Sequence, residues 1–78
     1  MYHFRMRGTI KDNDYDKDKV CEVLYNNGKL TGNKLLVQKV KSQSKIHNTG
    51  MDATAVMLLM RNICTNVEIW GEYPNIYY

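Results

Sequence analysis

The sequence has no long apolar run, which argues against a membrane-spanning helix. Its longest uninterrupted apolar stretch, AVMLLM at residues 55–60, falls far below the roughly 20 residues that such a helix needs. The opening residues MYHFRMRGTI lack the apolar segment and cleavage site of a signal peptide, so we do not expect export through one. These absences predict a cytoplasmic protein, in the host cell cytoplasm if the gene comes from a phage.

Cysteine is scarce, with two residues, Cys21 and Cys64, each among apolar neighbours. Two cysteines without metal-ligand spacing do not make a zinc site. We interpret them as buried free thiols in a reducing compartment. A Cys21–Cys64 bridge is the alternative, if the two helices that we predict for these segments pack together. We expect neither a metal nor a cofactor.

Recognisable catalytic motifs are also missing. Residues 12–18, DNDYDKD, begin like an EF-hand calcium loop, but Lys17 and Val23 stand where that loop requires Gly and Glu. An acidic turn that caps a helix is the simpler interpretation. His3 and His47 have no nucleophile or carboxylate at a recognisable catalytic spacing. We therefore predict that the protein is not an enzyme.

Acidic residues are absent from a long middle segment. None occurs from Val23 through Met51, whereas four aspartates crowd residues 12–18. The middle segment instead carries five lysines: Lys29, Lys34, Lys39, Lys41 and Lys45. The formal net charge of +3 does not reveal that negative and positive charges are concentrated in different segments of the chain. This separation indicates a surface with a binding role. A merely solvated lysine surface is the alternative.

Length and composition predict one small domain over residues 1–78, with a flexible tail at about 74–78. A core of this size is limited, so we expect self-association, as a homodimer. Lys, Asn, Tyr and Ile supply 27 of the 78 positions, and their codons are A/T-rich. Compact chains of this composition are typical of phage and mobile-element accessory genes.

Two strands and one helix follow from clear periodicity. Residues 2–10 alternate, with apolar side chains from Phe4 to Ile10 on one face and polar ones on the other, which predicts a half-buried strand. Asp52 is placed to cap a helix over ATAVMLLMRNIC, which is apolar nearly all round and should be buried. A last strand is predicted in TNVEIWGEY, before Pro74.

The segment before Gly28 has two interpretations. Val20, Cys21, Val23 and Leu24 fall at helical spacing, which favours a helix capped by Asp16 or Asp18 and ended by Gly28. Alternatively, Asn27-Gly28 forms the type I′ turn of a β-hairpin. We prefer the helix because these four apolar residues do not alternate.

The segment KLLVQKVKSQSKI at 34–46 is also ambiguous. We prefer a strand in which Leu36, Gln38 and Val40 share a face. The alternative is a helix capped by Thr31, with Leu36, Val37 and Val40 as its inner stripe. With that helix, NNGKLTGNKLLVQKV is similar to the helix–bend–helix opening of winged helix-turn-helix domains. In that fold ATAVMLLMRNIC would read DNA poorly, because its polar surface offers a single arginine.

The resulting order predicts an α+β protein, a two-layer β-α-β-(β)-α-β sandwich that is ferredoxin-like or a reduced version of that fold. A winged helix-turn-helix is the alternative. If both helices cover the Phe4 face of the sheet, the other face shows basic, acidic and aromatic side chains together: His3, Arg5, Arg7, Glu68, Trp70 and Glu72. Lys39 and Lys41 would join this face from the predicted strand.

This mixture favours a non-enzymatic interaction protein, an accessory factor that binds and inhibits a host protein or a nucleoprotein complex. The predicted contact residues are Arg5, Arg7, Trp70 and Tyr73 as anchors, with Lys39, Lys41 and Lys45 steering the partner electrostatically. One alternative is a small nucleic-acid-binding protein that uses the same basic and aromatic face. Another is purely structural, with both arginines paired across strands to Glu68 and Glu72.

Overall fold

The computed structural model describes residues 2–11 and 20–74 of the chain. Its elements are, in chain order, strands β1 (His3–Ile10), β2 (Val20–Asn26) and β3 (Lys29–Gly32), helices α1 (Lys34–His47) and α2 (Ala53–Ile63), and strand β4 (Cys64–Glu72). The strands form one antiparallel sheet in the order β3-β2-β1-β4, with both helices on one face. No helix in the described ranges is long and apolar enough to cross a membrane.

The predicted first strand is confirmed and occupies the middle of the sheet. Phe4, Met6 and Ile10 are buried under the helices, whereas Arg5 and Arg7 are exposed on the other face. Pairing with β2 on one side and β4 on the other satisfies the backbone of β1 along most of its length. This strand therefore fixes which side chains share the uncovered face.

The predicted helix before Gly28 is wrong, and the hairpin alternative is correct. Residues 20–26 form β2, and Asn27 and Gly28 turn the chain into β3 with φ of 51° and 88°, as a type I′ turn requires. Every second side chain of β2 is buried in the core, namely those of Cys21, Val23 and Tyr25. The pattern was hidden by Val20 and Leu24, which lie on the uncovered face and are about half exposed. The proposed caps Asp16 and Asp18 lie outside the described residues.

The preferred strand over residues 34–46 is also wrong, because this segment forms α1. Its N-cap is Asn33 rather than Thr31, and the Asn33 side-chain oxygen accepts a hydrogen bond from the Leu36 backbone N–H at 3.0 Å. Leu36, Val40 and Ser44 are buried, and the Ser44 hydroxyl donates to the Gly50 carbonyl at 2.7 Å. That last contact ties the end of α1 to the loop before α2.

The predicted helix after Asp52 is confirmed as α2. The Asp52 carboxylate accepts a hydrogen bond from the Ala55 backbone N–H at 2.8 Å. Val56, Met57 and Met60 are almost fully buried between the sheet and α1. The sheet and α1 cover most of the apolar surface of this helix. Leu58 lies on the face that stays exposed.

The α+β class is confirmed, but the element order is β-β-β-α-α-β. The ferredoxin-like order was not found, because residues 20–26 and 29–32 form two strands where most of the first crossover helix and its connection were predicted. In residues 26–40, where the winged helix-turn-helix alternative placed a helix–bend–helix, the structure has the β2–β3 turn, β3 and the first half of α1. Strand β4 returns after both helices and pairs with the free edge of β1. The predicted tail lies mostly in residues 75–78, outside the described ranges.

The two cysteines are free and buried, as predicted, although they lie on strands rather than helices. Cys21 is opposite Gly8, and a Cβ built on Gly8 would lie 2.8 Å from the Cβ of Cys64. The Cys64 side chain therefore fills the space that Gly8 leaves. The pKa of the Cys64 thiol is raised from 9.0 to about 11, chiefly by burial and also by the neighbouring Cys21 thiol, while the charges of Lys11 and Lys39 act to lower it.

This raised pKa predicts a loss of stability in mild alkali. Between pH 9 and 11 the unfolded chain releases the Cys64 proton while the folded protein keeps it, so unfolding becomes easier as pH rises. The contribution is complete below pH 9 and is lost as pH approaches 11. Urea unfolding across this range should show a steeper fall for the wild type than for Cys64→Ala. Equal slopes would contradict the assignment.

Candidate functional site

The uncovered face of the sheet presents four rows of side chains across the strands. Both helices pack on the opposite face, and nothing in residues 2–11 and 20–74 covers this one. The rows, from β2 across β1 to β4, are Asn26–His3–Glu72, Leu24–Arg5–Trp70, Glu22–Arg7–Glu68 and Val20–Thr9–Thr65. We call this surface the open sheet face. It brings Arg5, Arg7 and Trp70 together, as their strand positions predict.

Two arginines hold the indole ring of Trp70 at the centre of this face. The guanidinium carbon of Arg5 lies 5.1 Å from the ring centroid, and that of Arg7 lies 5.8 Å away. Both distances are within the range of a cation–π interaction. Trp70 nevertheless remains 40% exposed, so much of the ring is still available to a partner. The cluster is therefore arranged before any partner binds.

The carboxylate that pairs with these arginines is Glu22. Its Oε2 lies 3.9 Å from the Nε of Arg5 and 3.6 Å from the Nε of Arg7. The structural alternative, in which the arginines pair with Glu68 and Glu72, is wrong. Within the described residues, the ion pairs of both arginines are with Glu22. All three side chains of the pair network are roughly half exposed, so these bridges orient the arginines more than they stabilise the fold.

Sequence reasoning missed Glu22 and Leu24 as members of this face because it placed them on a helix. The signal was present in the alternation of Cys21, Val23 and Tyr25, with Glu22 and Leu24 between them. Leu24 and Trp70 flank Arg5 from opposite neighbouring strands. They contribute to a shallow depression of about 440 Å³, lined by His3, Phe4, Arg5, Leu24, Tyr25, Asn26, Trp70 and Gly71. An apolar side chain of a partner would fit against Leu24 and Trp70 there.

The open sheet face carries balanced charge. Its basic side chains Arg5, Arg7 and Lys29 face three carboxylates, Glu22, Glu68 and Glu72. A surface of this kind does not concentrate positive potential as a polyanion site does. An exposed tryptophan flanked by arginines is instead the kind of cluster that is enriched among the residues dominating binding energy at protein–protein interfaces.

The predicted lysines do not lie on this face. Lys39, Lys41 and Lys45 are all on α1, in the layer that covers the other side of the sheet, so the prediction that Lys39 and Lys41 join Arg5 was wrong. The error follows from assigning residues 34–46 to a strand. Lys41 and Lys45 are exposed, whereas Lys39 is half-buried. It lines a cavity of about 190 Å³ between the helices with Ser42, Gln43, Asn62 and Ile63.

Tyr73 also lies apart from the arginine–tryptophan cluster. Its ring meets the edge of Phe4, with centroids 6.2 Å apart and planes at 74°. Phe4 in turn stacks on Tyr25 at 4.7 Å within the core. Tyr73 therefore closes the aromatic end of the core on the helix side of the sheet, although 40% of its surface remains exposed.

In residues 2–11 and 20–74, no group of three or more His, Cys, Asp or Glu side chains could hold a metal ion. His3 is exposed on the open sheet face, and the His47 ring is hydrogen-bonded to Gln43 at 3.1 Å. The aspartates of the EF-hand-like segment lie outside the described residues.

No protein-family model, curated protein or solved structure matches this chain. Its class is therefore defined by the fold and the face alone. It is a small α+β domain whose four-stranded antiparallel sheet is covered on one side by two helices and carries an arginine–tryptophan cluster on the other.

Proposed function

We propose that this chain is a non-enzymatic interaction protein and that its open sheet face binds a protein partner. The observation that carries the proposal is the Arg5–Trp70–Arg7 cluster, which stands beside exposed Leu24 on a face of balanced charge. Tryptophan and arginine are the residues most enriched among those that dominate binding energy at protein interfaces. The depression that Leu24 and Trp70 help to line provides the apolar centre that such interfaces need.

The partner should offer an apolar side chain surrounded by acceptors. The apolar group would fill the depression between Leu24 and Trp70, and carboxylates or carbonyls would take the arginine N–H groups that Glu22 leaves unused. Because cation–π contacts already orient Trp70, binding loses less side-chain entropy than it would with a free ring. This arrangement favours affinity without a large buried area.

Nucleic-acid binding at the same face is the second candidate, supported by an exposed tryptophan between two arginines. Base stacking on Trp70 and phosphate contacts from Arg5 and Arg7 would suit single strands. Glu22, Glu68 and Glu72 would oppose the approach of a polyanion, so the balance of charge favours a protein.

An inhibitory accessory role, in the cytoplasm of a host cell, is the biological setting that we propose for this binding. It is supported by the high share of Lys, Asn, Tyr and Ile, residues whose codons are A/T-rich, a composition typical of phage and mobile-element accessory genes. We also propose that the chain forms a homodimer, because it is small and the edge strands β3 and β4 each leave one side unpaired in the described sheet. Sedimentation of the purified protein would measure whether it self-associates.

We expect Trp70→Ala to weaken partner binding about 30-fold or more, as the loss of about 2 kcal/mol at an interface centre implies. The wild-type chain would be immobilised to capture a partner, and the purified partner would then be titrated calorimetrically with each variant. Leu58→Ala is the matched control, because Leu58 is exposed to a similar extent, 43%, but lies in the helix layer.

The proposal requires that Leu58→Ala binds like the wild type and that salt changes the affinity only modestly. If Trp70→Ala binds the partner as tightly as the wild type, the open sheet face is not the interface. If the immobilised chain retains nucleic acid and releases it steeply with salt, the second candidate replaces the first.

A further inference from the structure

The outer surface of α1 carries a row of positive charge that the open sheet face does not use. Lys34, Gln38, Lys41 and Lys45 follow one another at intervals of four, three and four residues, which places them on one side of a helix. All four are exposed, and the fully buried residues Leu36 and Val40 lie on a different side of the helix. We call these four residues the lysine stripe.

No carboxylate neutralises the lysine stripe in the described structure. Helix α1 contains no acidic residue, and none of its lysines takes part in an ion pair within residues 2–11 and 20–74. Asp52 is the carboxylate of the described helix layer, and it already caps α2 by accepting from Ala55. The described structure thus has a sheet face of balanced charge and a positive helix face.

The spacing of the lysine stripe is rigid. At a rise of about 1.5 Å per residue, Lys34 and Lys45 stand about 16 Å apart along the axis of α1, with Lys41 about 6 Å from Lys45. The helix is held at both ends, by the Asn33 cap and by the contact of Ser44 with Gly50. A regular array of anions can therefore meet several ammonium groups without any rearrangement of the backbone.

The stripe also borders a shallow cavity of about 380 Å³. It lies where β3 meets α1 and is lined by Thr31, Gly32, Lys34, Val37, Gln38 and Lys41. Two of the stripe lysines therefore stand over a recess with hydroxyl and amide groups. A phosphate and its sugar could seat there while the neighbouring lysine contacts the next phosphate.

We propose that the lysine stripe binds the phosphate backbone of duplex DNA without reading its sequence. Duplex DNA offers a rigid, regular row of phosphates, and lysine ammonium groups contact such phosphates as point charges. The stripe holds no aromatic side chain on which the bases of a single strand could stack. Three of its four side chains are pure donors, which gives little basis for choosing the 2′-hydroxyl of RNA.

This inference does not depend on the function proposed for the open sheet face. The two surfaces lie on opposite layers, so DNA on α1 would leave Arg5 and Trp70 accessible. Occupied together, the two surfaces would join a protein partner to DNA.

The test is fluorescence anisotropy with a labelled random-sequence duplex of about 20 base pairs, at low and at near-physiological salt. Lys41→Gln/Lys45→Gln should weaken binding at least tenfold at low salt. It should also flatten the slope of log K against log salt by about 1.8, because each lost phosphate contact removes about 0.9. The control Lys11→Gln/Arg61→Gln removes the same charge from exposed positions outside both the stripe and the open sheet face, and should change binding less than threefold.

Thermal unfolding of both double variants must match the wild type, and glutamine is a good helix former at these exposed positions. Equal weakening by the two double variants would mean a net-charge effect and would overturn the stripe as a site. Tighter binding of single-stranded DNA or duplex RNA than of duplex DNA would overturn the proposed ligand. Absence of duplex binding by the wild type at low salt would overturn the proposal altogether.

Discussion

Leu36→Ala is expected to cost about 2–5 kcal/mol of unfolding free energy, the range seen when a buried leucine is truncated without full collapse of the cavity. Leu36 has no exposed surface and packs from α1 into the core beneath the sheet. A domain of this length has a total stability of only about 5–10 kcal/mol, so the variant should lose a large part of it. Urea unfolding followed by far-UV circular dichroism would measure the loss directly.

The adjacent leucine provides the matched control. Leu35 is 47% exposed on the outer side of α1, so Leu35→Ala should change stability by no more than about 0.5 kcal/mol. The two variants remove the same atoms from neighbouring positions of one helix, and burial alone separates them. Comparable losses for both would mean that α1 does not pack with its Leu36 side against the sheet.

Gly32→Ala is expected to cost about 2–4 kcal/mol, from backbone strain and a close contact acting together. Gly32 has φ of +125°, and a Cβ there would lie 2.6 Å from the Glu22 carbonyl oxygen and 2.9 Å from the Val23 Cα. The same Glu22 carbonyl accepts the Asn33 backbone N–H at 3.0 Å. An added methyl group would therefore push β3 from β2 and disturb the N-cap of α1. Chemical denaturation would measure the change.

Gly50→Ala separates the two contributions. Gly50 also has positive φ, +75°, but a Cβ built there meets no atom within 4 Å. Its replacement should cost about 1 kcal/mol, which is the conformational penalty alone. A loss for Gly32→Ala no greater than that for Gly50→Ala would show that the junction of β3 and α1 relaxes around the methyl group, contrary to our expectation.

The separation of charge between the layers has the widest functional consequence. The uncovered face of the sheet combines an exposed tryptophan, two arginines and carboxylates, whereas α1 carries lysines with no acidic neighbour on the same helix. Substitutions can therefore address the two surfaces one at a time. Trp70→Ala should affect a protein partner, and the Lys41/Lys45 double variant should affect DNA.

Elements with a single consistent periodicity could be predicted from the sequence. Strand β1 alternates without interruption, and α2 combines an aspartate cap with an apolar run too continuous for a half-exposed strand. The pairing of Arg5 and Arg7 with Trp70 on one face followed from the alternation within β1 and β4. In each case neighbours along the chain contain enough information.

The two wrong elements are those whose apolar spacing suits both structures. Leu36 and Val40 share a face in a strand and also in a helix, so their spacing could not distinguish the two. In β2, the outward Val20 and Leu24 concealed the inward alternation. The pairing of β1 decided this second case. The backbone groups along one edge of β1 need a partner strand, and residues 20–26 supply it.

By itself, the sequence determined the α+β class, the central strand, the second helix, the two free buried thiols and the meeting of Arg5, Arg7 and Trp70. Only the tertiary structure decided that residues 20–32 form a hairpin, that residues 34–47 form a helix, and that the lysines lie on the layer opposite the arginines. The physical reason is that a period in sequence specifies which side chains share a face. Which face another segment covers depends on hydrogen bonding and burial between residues far apart in the chain.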